Sequence, residues 1–162
     1  MATVEVTFPP LPAHIRTARL VATAVARRSG MDESLLDEIR LAVGEACSRA
    51  VEAHRKHCPA HPIRVALCDD GERFEVVVTD AAPRDADGAP AEGDSAAAAV
   101  PGGNGAAAGV APTAASDSGV ILQLPAGVGL AVISGLADEV RISPAGDGTS
   151  VAMSWKRRPV TA

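Results

Sequence analysis

Apolar and polar residues alternate through Val4-Glu5-Val6-Thr7-Phe8, the period of a half-buried strand, and Pro9, Pro10 and Pro12 end it. From His14 to Arg28 the pattern changes. Ile15, Ala18, Leu20, Val21, Val25 and Ala26 recur at helical spacing, and Ser29-Gly30 supplies a stop. Asp32 is placed to cap a second, longer helix over about residues 33–56. On it Leu35, Leu36, Ile39, Ala42, Val43, Ala46, Ala50 and Val51 form one broad apolar face, and Pro59 closes it. Ile63–Cys68 and Phe74–Val78 read as strands, joined at Asp69-Asp70-Gly71, a strong hairpin signal. The second strand finishes at Thr79-Asp80.

From Ala81 to about Gly119 the residues are Ala, Gly, Pro, Ser and Asp with almost no large side chain. Such a stretch cannot bury enough surface to offset its ordering entropy, so it predicts a mobile lid or disordered insert at 81–119. Order is expected again at Val120-Ile121-Leu122. Gly127-Val-Gly-Leu-Ala-Val-Ile133 then reads as a glycine turn running into an apolar helix that ends near Ala137. Glu139–Ser143 and Thr149–Trp155 are the last two strands, on either side of a Gly146-Asp147-Gly148 turn. The sum is three helices and about five strands within one domain, 1–162, with no internal repeat.

Composition narrows the class. Hydrophobic residues are 47% but aromatics only 2%, so the core must be built from Ala, Val, Leu and Ile. A net charge of -5 gives no electrostatic footprint for nucleic acid. The one basic cluster, Lys156-Arg157-Arg158, reads as a solvated tail. No run approaches the ~20 apolar residues needed to span a bilayer. The first residues lack a charged stretch followed by an apolar one, and the cysteines number three, so a reducing, cytoplasmic setting is expected. Cys58 with His57 and His61 fits no standard ligand spacing, and Pro59 and Pro62 interrupt it, so no metal site is expected there.

Four segments carry chemistry. The first is Leu41-Ala-Val-Gly-Glu-Ala-Cys-Ser-Arg-Ala-Val-Glu52, where Glu45 and Arg49 stand four apart on one helical face. Left to themselves they would form an ordinary i,i+4 ion pair. The second is Val76-Val-Val-Thr-Asp-Ala-Ala-Pro-Arg84, with Asp80 at the strand end. The third is the Gly127-x-Gly129-Leu130 turn, whose free amides and helix dipole suit a phosphate. The fourth is Gly148-Thr149-Ser150-Val151, otherwise a plain turn into a strand.

In this order the segments resemble the GHKL, or Bergerat-fold, ATPase superfamily of gyrase, the ninety-kilodalton heat-shock chaperones, histidine kinases and MutL. Within it they are most similar to the anti-sigma-factor serine kinases of bacterial partner switching. The resemblance implies an α/β two-layer sandwich, with about three helices on one face of a mixed, mostly antiparallel five-stranded sheet. It implies that Glu45 is the catalytic base, if the site is active. Asp80 would accept from the adenine amine, Gly127, Gly129 and Leu130 would hold phosphate, and Thr149 would line the nucleotide pocket.

Arg49 stands where the resemblance expects a Mg²⁺-ligating Asn, and Ala82 and Arg84 stand where it expects glycines. A guanidinium has no acceptor lone pair and cannot bind Mg²⁺; it would pair with Glu45 or meet phosphate directly. ATP is therefore admitted as a ligand without its metal. The function implied is an anti-sigma-factor-like regulator that binds a sigma factor or its antagonist, with weak or lost kinase activity. The alternatives are an active serine/threonine kinase acting on an anti-anti-sigma factor, and a sensor that reuses the pocket for another small ligand. A homodimer is implied by resemblance alone.

Overall fold

The computed structural model describes residues 1–83 and 126–158. Arg84, Val120–Leu122 and nearly all of the expected lid lie outside the described residues. Eight elements follow in the order β1 (Ala2–Phe8), α1 (Pro12–Arg28), α2 (Glu33–His57), β2 (Ile63–Asp69), β3 (Arg73–Thr79), α3 (Ala126–Leu136), β4 (Glu139–Ala145) and β5 (Gly148–Lys156).

Local chemistry sets most of these boundaries. Pro12 opens α1, where its missing N–H costs nothing. The chain leaves α1 through Gly30 at φ 76°, a left-handed turn that a side chain would strain. The Asp32 carboxylate caps α2 by accepting from Ser34 N at 2.8 Å. In the β2–β3 hairpin Asp69 Oδ1 accepts from Gly71 N at 2.9 Å, and Asp70 Oδ1 accepts from Glu72 N and Arg73 N at 2.9 and 2.7 Å.

The five strands form one sheet in the order β1-β2-β3-β5-β4, and every pairing is antiparallel. The expected mixed character is therefore not found among the described residues. Each neighbouring pair is joined so that successive strands run oppositely; the long excursion between β3 and β5 carries α3 and β4 and still returns the chain antiparallel.

The helices cover one face, and the burial of β2 and β3 alternates accordingly. Ile63, Val65, Leu67, Phe74, Val76, Val78, Val151, Met153 and Trp155 point into the core beside Ile39, Val43, Ala46, Cys47 and Ala50 of α2 and Ile133 of α3. The small residues of α1 and α2 let these helices pack closely: Ala18, Ala22 and Ala26 are buried with Ala42, Ala46 and Ala50. The single tryptophan, fully buried, donates from Nε1 to the Leu136 carbonyl at 2.9 Å and fastens the end of α3 to β5. The opposite sheet face carries cross-strand ion pairs, Arg64 to Glu5 and Arg141 to Glu75.

The basic cluster is not simply a solvated tail. Arg157 donates to Asp69 Oδ1 at 3.1 Å and to the Ser29 carbonyl, tying the end of β5 to the hairpin and to the α1–α2 connection.

The candidate nucleotide site

α2 runs beneath the ends of β3 and β5, and it brings the singled-out residues into one corner. Arg49 and Asp80 form the centre. Arg49 Nη1 donates to Asp80 Oδ2 at 2.9 Å, with the two side chains only 9% and 2% exposed. Asp80 Oδ1 accepts two further bonds, from Thr149 N at 3.2 Å and Ala82 N at 3.1 Å. The backbone closes the same corner, since Asp80 N donates to the Thr149 carbonyl at 2.9 Å. A buried carboxylate is costly unless it is paired and hydrogen-bonded, and Asp80 has a guanidinium and two amides.

This corner is also tightly built. A Cβ on Gly148 would lie 1.8 Å from the Asp80 carbonyl oxygen and 2.7 Å from Ala81 Cα. Only glycine permits β5 to start so close to the end of β3. Ala82, one of the two residues standing where glycines were expected, is 5% exposed and packs inside the corner rather than lining an open approach.

The i,i+4 pair expected between Glu45 and Arg49 is not formed. The guanidinium turns away to Asp80, 31 residues on, because a fully buried carboxylate needs a cation more than the half-buried Glu45 does. Among the described residues Glu45 has no ion-pair partner. It faces α3 instead: a methyl placed on Gly129 would come 3.5 Å from Glu45 Oε2. Gly129 is buried and Leu130 half-buried against the core, while Gly127 lies in the first turn of α3. The helix begins at Ala126, so both glycines are inside it rather than in a turn preceding it. Thr149 is buried at 3% and enters the corner through its main chain, by both N–H and C=O.

These contacts decide which groups the residues fit. Arg49 offers no lone pair to a metal ion and brings a fixed positive charge into the corner, so these residues do not fit Mg²⁺. A carboxylate has about four lone-pair positions, and three of those of Asp80 are taken by protein donors. As arranged, Asp80 keeps at most one acceptor position, on Oδ2 beside Arg49, for an adenine amine. Among the described residues no group of His, Cys, Asp and Glu could hold a metal ion, and no helix is long and apolar enough to cross a membrane.

One feature of the corner escaped the sequence. His54, on the apolar face of α2, is fully buried, with Nδ1 2.8 Å from the His61 carbonyl and Nε2 2.8 Å from Ala81 N. Its place in the spacing Val43, Ala46, Ala50, Val51, His54 was a usable signal, because a polar residue on a buried stripe needs partners. Cys47, whose place in the apolar pattern of α2 marks it as a core residue, is fully buried, and burial pushes its thiol up to about 12.

Residues 8–155 match the description of the histidine kinase-like ATPase domain. The chain belongs to this family. Among curated relatives it is similar to the serine-protein kinase RsbW of Bacillus subtilis (strain 168), with 29% identity over 77 residues, 48% of each chain. It thus spans about half the length of the curated relative it matches. Among solved structures it resembles the RsbU and RsbW domains of a Mycobacterium tuberculosis protein, at a TM-score of 0.63 and 19% identity. That match covers 98% of this chain and 34% of the other. The latter likeness is one of fold. The family model thus places the chain among the histidine kinase-like ATPases, and the solved structure shares its fold.

Proposed function

We propose that this chain is an anti-sigma-factor-like regulatory protein that binds a sigma factor or its antagonist, with weak or lost ATP-dependent kinase activity. The observation that carries this reading is the buried Arg49–Asp80 pair. It lies within a histidine kinase-like ATPase domain, and on the resemblance it engages the carboxylate that would meet the base and stands in place of the metal's ligand. A domain that keeps its architecture while closing its nucleotide corner retains the part of the design that holds another protein. The acidic balance of -5 speaks against a nucleic-acid partner.

On this reading the chain works as a single ATPase-like regulatory domain in the cytoplasm. Its three cysteines, all unpaired, suit that compartment. Its partner is a protein, and a second copy of the chain is the expected companion. Nucleotide, if taken at all, binds through Arg49 and the start of α3 without Mg²⁺.

One observation favours the kinase reading. Glu45 lies beside Gly129 with no ion pair among the described residues, the disposition a base requires. The two readings part in one experiment. The purified chain is mixed with sigma factors and small antagonist proteins of its host, and complexes are captured with and without radiolabelled Mg²⁺-ATP. Stable capture with no labelled partner is expected. Stoichiometric transfer of phosphate to a captured protein would replace the proposal with the kinase.

A further inference from the structure

His54 is a fully buried side chain at the corner that the proposed function leaves without a task. Its two nitrogens link the approach to β2 at His61 with the exit of β3 at Ala81, both at 2.8 Å. The chemistry of the partners fixes the ring. Ala81 N can only donate, so Nε2 must be the bare acceptor, and the ring proton lies on Nδ1, where the His61 carbonyl accepts it.

Ala81 is the residue next to Asp80. The following amide, Ala82 N, donates to the Asp80 carboxylate, and Gly148 packs on the Asp80 carbonyl and on Ala81 Cα. Arg49, the other half of the central pair, stands on the same helix as His54, five residues earlier. α2 therefore grips the strand end twice, once through the charge pair and once through the imidazole Nε2.

We propose that His54 is the positioning residue of this site. By accepting from Ala81 N it sets the direction in which the chain leaves β3, and with it the orientation from which Asp80 meets Arg49 and Thr149. This rests on the reading that the Asp80 corner is the functional pocket, but its test needs neither nucleotide nor partner.

The test is nuclear magnetic resonance of the full chain with His54→Leu, His54→Asn and His54→Gln. Long-range nitrogen–proton spectra of the wild type are expected to show the Nδ1–H tautomer. In His54→Leu the amides of Ala81, Ala82 and Thr149 should exchange about tenfold faster or more, while those of Val65 and Val76 in the sheet centre change far less. His54→Asn, too short to reach Ala81, should behave like His54→Leu. His54→Gln, whose side-chain oxygen extends toward the Nε2 position, should restore protection.

A lowered melting temperature with wild-type protection at Ala81, Ala82 and Thr149 would make His54 a filler of space and overturn the proposal. So would failure of Gln to do better than Asn. Should no variant fold, the wild-type spectrum decides: a proton on Nε2 overturns it. A protein that captures no partner but shows this pattern would fail the functional reading and keep the positioning role.

Discussion

Arg49 and Asp80, 31 residues apart in sequence, form a 2.9 Å ion pair almost wholly removed from solvent. Removing one member of such a pair strands the other charge, whereas removing both leaves only the lost packing and two amides to rehydrate. Arg49→Ala should therefore lower stability by about 3 kcal/mol in urea titrations followed by Trp155 fluorescence. Asp80→Asn should cost a comparable amount, and the double variant clearly less than the sum. Additive effects would mean that the two residues do not depend on one another.

Gly148 permits the approach of β5 to the end of β3. With a Cβ 1.8 Å from a backbone oxygen, Gly148→Ala must push the two strand ends apart, at a cost of about 2 kcal/mol or more. Gly71 gives a control of different origin, since nothing lies within 4 Å of its Cβ position but its φ is 91°. Gly71→Ala should cost about 1 kcal/mol through backbone strain alone, and it should leave the amide of Thr149 as protected as before. Equal loss of Thr149 protection in both variants would contradict the steric account.

The cysteines should separate by reactivity. Cys47 is buried with its thiol pushed up to about 12, so it stays protonated and out of reach at neutral pH. Cys58 and Cys68 are partly exposed. Native protein treated with a thiol-reactive dye should label at Cys58 and Cys68 first, and at Cys47 only on unfolding. Rapid labelling of Cys47 in the native state would show that the α1–α2 interface opens.

Acid should weaken the protein at its turns. The Gly71 amide, then Ser29 and Arg157, hold the Asp69 carboxyl below its ordinary value, and the Arg73 and Glu72 amides do the same for Asp70. A carboxyl whose folded pKa is depressed contributes stability above its unfolded value, and this is lost as pH falls through the folded one. Stability attributable to Asp69 should thus be complete at neutral pH and fade below about pH 4. Melting curves of Asp69→Asn and wild type should converge as pH is lowered through that range; a gap that persists there would refute the assignment.

The elements were legible in the sequence because their signals are local. The alternation in Val4–Phe8, the cap at Asp32, the hairpin aspartates and the wide apolar face of α2 each act over a few residues. The partner of Arg49 was not legible. Helical spacing offered Glu45, and choosing Asp80 instead requires knowing that β3 ends over the middle of α2 with its carboxylate buried. Arg157 misled for the same reason: a charge near the end of the chain reads as solvated until the register of β5 carries it to Asp69 and Ser29. His54 was readable as an oddity on a buried stripe, but its two partners come from separate turns of the chain.

The central claim is that Arg49 closes the nucleotide corner to Mg²⁺-ATP, and calorimetry of wild type and Arg49→Asn with ATP, each with and without Mg²⁺, tests it most directly. The wild type should bind weakly and without benefit from Mg²⁺. Arg49→Asn frees the Asp80 carboxylate and supplies an oxygen ligand, so it should bind Mg²⁺-ATP more tightly, by an amount that the buried Ala82 keeps modest. Tight, Mg²⁺-dependent binding by the wild type, undiminished or weakened in Arg49→Asn, would contradict the account.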